Sequence, residues 1–121
     1  MFLCAAVKMK KDGKMFVGNG HSEAFRAAFE TGNYPEYKNA GFMRADNEQG
    51  FLVRSAAGVS FLDRRKAFEA AKATANLIND NGSGMLQSED VRFIANGLKD
   101  GQAFANKHNS SLTKRPAPPI R

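Results

Sequence analysis

The sequence is poor in the residues that carry most protein chemistry. Of its 121 residues, Cys4 is the single cysteine, and His21 and His108 are the two histidines. One cysteine excludes an intrachain disulfide and any cluster of thiolate metal ligands. Cys4 stands between Leu3 and Ala5, neighbours that favour a buried strand thiol over a nucleophile. The histidines lie far apart and show no ligand spacing, so neither a structural zinc site nor a cofactor is expected. Long apolar runs are missing too. The longest, residues 2–7, is too short to cross a bilayer. Its lysines follow the apolar stretch, the reverse of a secretory signal, so the chain is read as cytoplasmic.

Acids are the minority charge: twelve Asp and Glu face eighteen Lys and Arg, a net charge of +6. That excess implies acidic partners or ligands. It is concentrated around Lys8, Lys10, Lys11 and Lys14 and in a tail carrying Lys107, Lys114, Arg115 and Arg121. Catalytic signatures are absent as well. There is no dinucleotide fingerprint, no phosphate-loop lysine motif and no paired carboxylates that could share acid and base work. The expectation is a binding protein, not an enzyme.

What is present reads as one α+β domain over 1–105, followed by a basic, proline-containing tail over 106–121. The stretch FLCAAVKM, the pair Asp12-Gly13 and the return MFVGN predict a β-hairpin. A short helix should follow, capped by Ser22, with Phe25, Ala28 and Phe29 on one face. FMRA and FLVRS, flanking DNEQG as a turn, predict a second hairpin, and VSFL adds a strand after the turn SAAG. The result is a small antiparallel sheet of about five strands cradling two main helices. Asp63 is placed to cap the first of these, an alanine-rich helix over 64–78. Phe68, Ala71, Ala75 and Ile78 would form its apolar face, and Gly82 would supply a left-handed cap. Ser88, Glu89 and Asp90 mark the second helix start, with Val91, Ile94 and Leu98 as its stripe and an interruption at 100–102.

Three clusters could hold a ligand. His21, Ser22 and Arg26 stand at a helix start, where amides, imidazole and guanidinium suit a phosphate; the bland alternative is a capping serine and solvated neighbours. Gln49, Gly50 and Phe51 could offer a base-stacking ring beside a glycine of close approach, or simply a turn and a core residue. Asp63, Arg64 and Arg65 open a helix where cations oppose the dipole, so the two arginines are not there for helix stability. An arginine there can fork onto phosphate or lie flat on a purine.

The order of these motifs resembles the first type of phage Thoeris anti-defence protein, the signal sponges. The resemblance rests on the apolar hairpin, Gly18-x-x-His21-Ser22, Gln49-Gly50-Phe51, Phe61-x-Asp63-Arg64-x-x-Ala67 and Ser88-Glu89-Asp90. It departs from that pattern at Glu23, at Asn19 and in the extension from Arg92 onward. It implies an antiparallel sheet with two helices, a homo-oligomer (a dimer or larger, up to a hexamer) and no catalysis. The implied ligands are cyclic ADP-ribose isomers, with cyclic di- or trinucleotides at a separate site in some members, in the cytoplasm of an infected bacterial host. Phe51 would stack on adenine, and Arg26, Asp63 and Arg64 would meet phosphate or ribose. The competing reading is a small basic nucleic-acid-binding phage protein, favoured by charge and by Lys and Arg interleaved with Phe.

Overall fold

A computed structural model describes residues 1–31, 33–34 and 47–113. Strand β1 (Phe2–Met9) turns back at Asp12-Gly13 into β2 (Met15–Gly18). Gly13 takes φ +76°, and its N–H donates to the Met9 carbonyl at 2.8 Å, as the Asp-Gly pair predicts. Helix α1 (His21–Glu30) follows, then β3 (Asn47–Ser55), β4 (Gly58–Asp63), α2 (Arg64–Ala73), one 3-10 turn (Ser88–Asp90) and α3 (Gly97–Thr113). The strands form an antiparallel sheet in the order β2-β1-β3-β4. Among the described residues the sheet has four strands and three helices; the further strand expected at 42–45 lies outside them. Residues 47–50, expected as a turn, are instead the start of β3, paired with β1 from Met9↔Asn47 onward.

β1 is apolar on both faces because both are covered. Ala5 packs with Phe51, Val53, Ala67, Phe68 and Ala71 beneath α2, and Val7, Met9 and Phe16 pack against α1. On the opposite face Cys4, Ala6, Val17 and Leu52 meet Ala105 of α3. Strands buried on both sides lose the alternating pattern and read as continuous hydrophobic runs. A bulge at Leu3, where Phe2 pairs with Val53 and Cys4 with Leu52, brings Phe2 onto the α2 face. Burial drives the Cys4 thiol up to about 12, as an inert strand cysteine should behave.

The helices differ from expectation at their ends. α2 stops at Ala73, because Ala75 takes the left-handed φ of 59° and turns the chain back, so that Leu77 bridges Val91. Ile78, expected on the apolar face, is therefore 57% exposed, and Gly82 lies in the following loop, well past the helix end. Val91 and Phe93 are likewise held in bridges to Leu77 and Phe2, which leaves only one 3-10 turn after Ser88. α3 runs through Gly101, where an interruption was expected. A Cβ on Gly97 would stand 2.2 Å from the Leu3 carbonyl oxygen, and one on Gly101 would stand 2.3 Å from Cys4 Sγ. These glycines let the helix lie directly on β1, and that packing outweighs their poor helix propensity. α3 continues to Thr113, so residues 106–113, assigned from sequence to the tail, are helical. No helix among the described residues is long and apolar enough to cross a membrane.

Candidate functional site

Arg64 organises the one place where the predicted clusters meet. Asp63 caps α2 as expected, its Oδ1 accepting the Lys66 N–H at 2.8 Å. That cap aims the next residue back across the sheet. Nη1 of Arg64 donates to the Leu86 carbonyl at 3.1 Å and to Gln87 Oε1 at 2.8 Å. Nη2 donates to Gln49 Oε1 at 2.6 Å and to His21 Nδ1 at 3.1 Å. One planar fork thus ties β3, α1, α2 and the chain before the 3-10 turn together. These four acceptors more than offset the dipole that the cation opposes.

His21 is fixed on both nitrogens. Its Nε2 lies 2.8 Å from the Gly50 carbonyl, which can only accept, so Nε2 carries the proton and Nδ1 presents its lone pair to Arg64 and, at 3.3 Å, to Ser88 Oγ. Burial first, and then the Arg64 charge, lower its pKa to about 4, so the ring is neutral at physiological pH. It meets Phe51 edge to face, with ring centroids 5.1 Å apart.

Beside this knot opens a cavity of about 410 Å³ lined by Asn47, Glu48, Gln49, Asp63, Arg64, Arg65, Met85 and Gln87. The structure therefore brings His21, Gln49, Gly50, Asp63 and Arg64 to one place, with roles that differ from expectation. Phe51 is 0% exposed, packed against Phe2 and Phe93, so its faces are committed to the core and not to a base. Gly50 admits β4, not a ligand: a Cβ there would lie 2.0 Å from the Leu62 carbonyl oxygen. Ser22 does not cap α1. The N-cap is Gly20, and the Glu23 carboxylate reaches back to the Asn19 N–H at 3.0 Å. Ser22 and Arg26 line a different cavity, of about 400 Å³, with Phe29 and Glu30.

Sequence reasoning placed Arg65 in the Asp63-Arg64-Arg65 cluster without deciding which arginine would meet a ligand, and it missed Met85 and Gln87. Arg65 is exposed and makes no hydrogen bond or ion pair with another described residue, so its guanidinium is the one available to an anion in the cavity. Met85, 39% exposed, is the apolar wall. Arg65 stood in the same Asp-Arg-Arg triplet as Arg64; which arginine would be spent on the fold depended on the loop at 85–88, distant in sequence. The described residues contain no group of three His, Cys, Asp or Glu suited to a metal ion. Comparison with protein-family models, curated proteins and solved structures finds no match to this chain.

Proposed function

We propose that this chain is a phage anti-defence protein that binds and sequesters a cyclic nucleotide immune signal, a cyclic ADP-ribose isomer or a cyclic di- or trinucleotide, without cleaving it, and that it works as a homo-oligomer in the host cytoplasm. The observation that carries the reading is the cavity in which a free guanidinium, Arg65, stands beside the amides of Gln49 and Gln87, the Asp63 carboxylate and the apolar Met85. A cyclic nucleotide presents ring phosphate charge, hydroxyls and a flat base, and each has a partner of matching chemistry there. His21 supports a holding role, because its lone pair is given to Arg64 and its proton to Gly50, leaving the imidazole to position and not to exchange protons.

Calorimetric titration with cyclic ADP-ribose isomers and cyclic dinucleotides tests this, with mass spectrometry of the released ligand. Arg65→Ala should weaken binding roughly tenfold to a hundredfold, the loss of one charge-assisted contact, and the ligand should return intact. Recovery of a hydrolysed product would make the protein an enzyme. Salt-sensitive binding of single-stranded DNA with no small-ligand heat would instead favour the nucleic-acid reading.

A further inference from the structure

The two edge strands of the sheet are treated differently. β2 has four residues, all of them buried. Asn109 of α3 occupies both backbone groups of Met15, accepting its N–H and donating to its carbonyl, each at 2.8 Å. β4 has six residues, GVSFLD, with Gly58 and Ser60 exposed and the other four half-buried. It pairs with β3 in unbroken register from Ser55↔Gly58 to Gly50↔Asp63. It carries no lysine, arginine, proline or bulge, the devices that keep an edge strand from pairing with another chain.

The turn between β3 and β4 fixes which backbone groups β4 leaves open. Only Ala56 and Ala57 separate Ser55 from Gly58, so these two close the hairpin by exchanging both hydrogen bonds. The antiparallel ladder then alternates, and the next bonded pairs are Val53 with Ser60 and Phe51 with Leu62. Val59 and Phe61 therefore turn their N–H and C=O groups outward, away from β3. Neither residue makes an outward hydrogen bond with any described residue. The Phe61 side chain does not screen the edge. Its ring leans inward over Gly50, where an added Cβ would stand 2.8 Å from Cζ, and the Lys8 ammonium lies 6.0 Å from the ring centroid.

We propose that the β4 edge is the contact surface for a second copy of this chain, the two β4 strands running antiparallel about a two-fold axis at Ser60. In that register the strand is complementary to itself. Phe61 lies opposite Val59 of the second copy, and each meets the other's outward N–H and C=O on both sides of the axis. Ser60 faces its own equivalent, and Asp63, the one charge on the strand, falls opposite the neutral Ala57. A net charge of +6 makes copies of the chain repel one another. Residues 55–62 carry no charge, so this is an edge along which two copies can approach without opposing like charges. Because β2 is shut, the pairing uses the open edge of each copy once and closes as a dimer, not a fibre. Two four-stranded sheets become one. The inference deepens the homo-oligomer part of the function proposed above by naming its surface, and it rests on that part alone.

Light scattering of the full chain over a concentration series should give an even multiple of the 13.2 kDa of one chain. Ser60→Lys and Ser60→Glu each set like charges face to face across the axis. Ser60 is exposed, so both variants should stay folded by circular dichroism while the assembled mass falls by half. Mixing the two variants in equal amounts should restore the mass, which a merely structural role for Ser60 would not produce. Ser60→Cys should cross-link under mild oxidation, because opposed residues of an unbonded pair have Cα atoms about 4.5 Å apart, within disulfide reach. Native Cys4, fully buried, should not. A monomeric wild-type chain overturns both this interface and the homo-oligomer reading. An assembly untouched by either charge and not cross-linked by Ser60→Cys overturns the β4 interface alone and leaves that reading standing.

Discussion

The side-chain amide of Asn109 grips both backbone groups of Met15. Its Oδ1 accepts the Met15 N–H at 2.8 Å and its Nδ2 donates to the Met15 carbonyl at 2.8 Å. In effect it imitates a neighbouring strand at the free edge of β2, and an edge so occupied is no template for another chain. The His108 ring reinforces the contact, donating from Nε2 to the Gly13 carbonyl at 2.9 Å. Asn109→Ala should cost about 1–3 kcal/mol, the penalty for leaving a partly buried pair of groups unmet. Asn109→Asp should not rescue it, since a carboxylate can take the N–H but repels the carbonyl. Urea unfolding of the two variants checks this; an aspartate variant as stable as the wild type would refute the two-sided grip.

The closest approach of α3 to the sheet gives a second prediction. Gly101→Ala places its Cβ against Cys4 Sγ, in a packed core where the overlap should cost about 1–3 kcal/mol. Cys4→Ala removes the obstructing sulfur, so the double variant should recover part of that loss. Gly97→Ala meets the Leu3 backbone, which no side-chain change removes, and Cys4→Ala should not help it. Stabilities of the single and double variants give the coupling directly.

Local chemistry explains which parts of this fold were legible in the sequence. The Asp12-Gly13 turn, the Asp63 cap and the SAAG turn depend on neighbouring residues, and all three form as read. α3 was missed because its interior glycines look like breakers until β1 is set against them. The end of α2 was missed because the left-handed turn at Ala75 serves the pairing of Leu77 with Val91. At the site, Arg64 and Arg65 were visible as cations that oppose the dipole of the helix Asp63 caps, and His21 as a polar residue at a helix start. The spending of Phe51 on the core, and of Arg64 on four acceptors, follows from contacts between segments tens of residues apart.

His21 predicts a pH dependence. Its folded pKa, about 4, lies below the ordinary 6.5, so the unfolded chain binds the proton more readily. Its contribution is fully present above pH 6.5 and is lost as the pH falls toward 4, amounting to at most about 3 kcal/mol before solvent screening is allowed for. His21→Gln should flatten the stability profile across that window while leaving the carboxylate titrations in place. Equal slopes for wild type and variant would remove His21 as the cause.

Arg64 and Arg65 should separate cleanly, although they are adjacent and chemically identical. Arg64→Lys keeps the charge but replaces a planar fork with a point donor, which cannot serve acceptors on β3, α1 and the 86–87 segment together. A loss of roughly 2–4 kcal/mol is expected from the partners left unmet, with Arg64→Ala no better. Arg65→Ala, with no partner among the described residues to strand, should stay within about 0.5 kcal/mol of the wild type. The imidazole supplies a readout that stability alone does not. Removing the Arg64 charge removes one of the two causes that depress His21, so the His21 proton resonances in Arg64→Ala should titrate at higher pH than in the wild type, whereas Arg65→Ala should leave them in place. Thermal unfolding and a proton-NMR titration of the three variants decide it. An Arg64→Lys variant as stable as the wild type, with an unmoved His21 in Arg64→Ala, would show that the fork does not hold the site together.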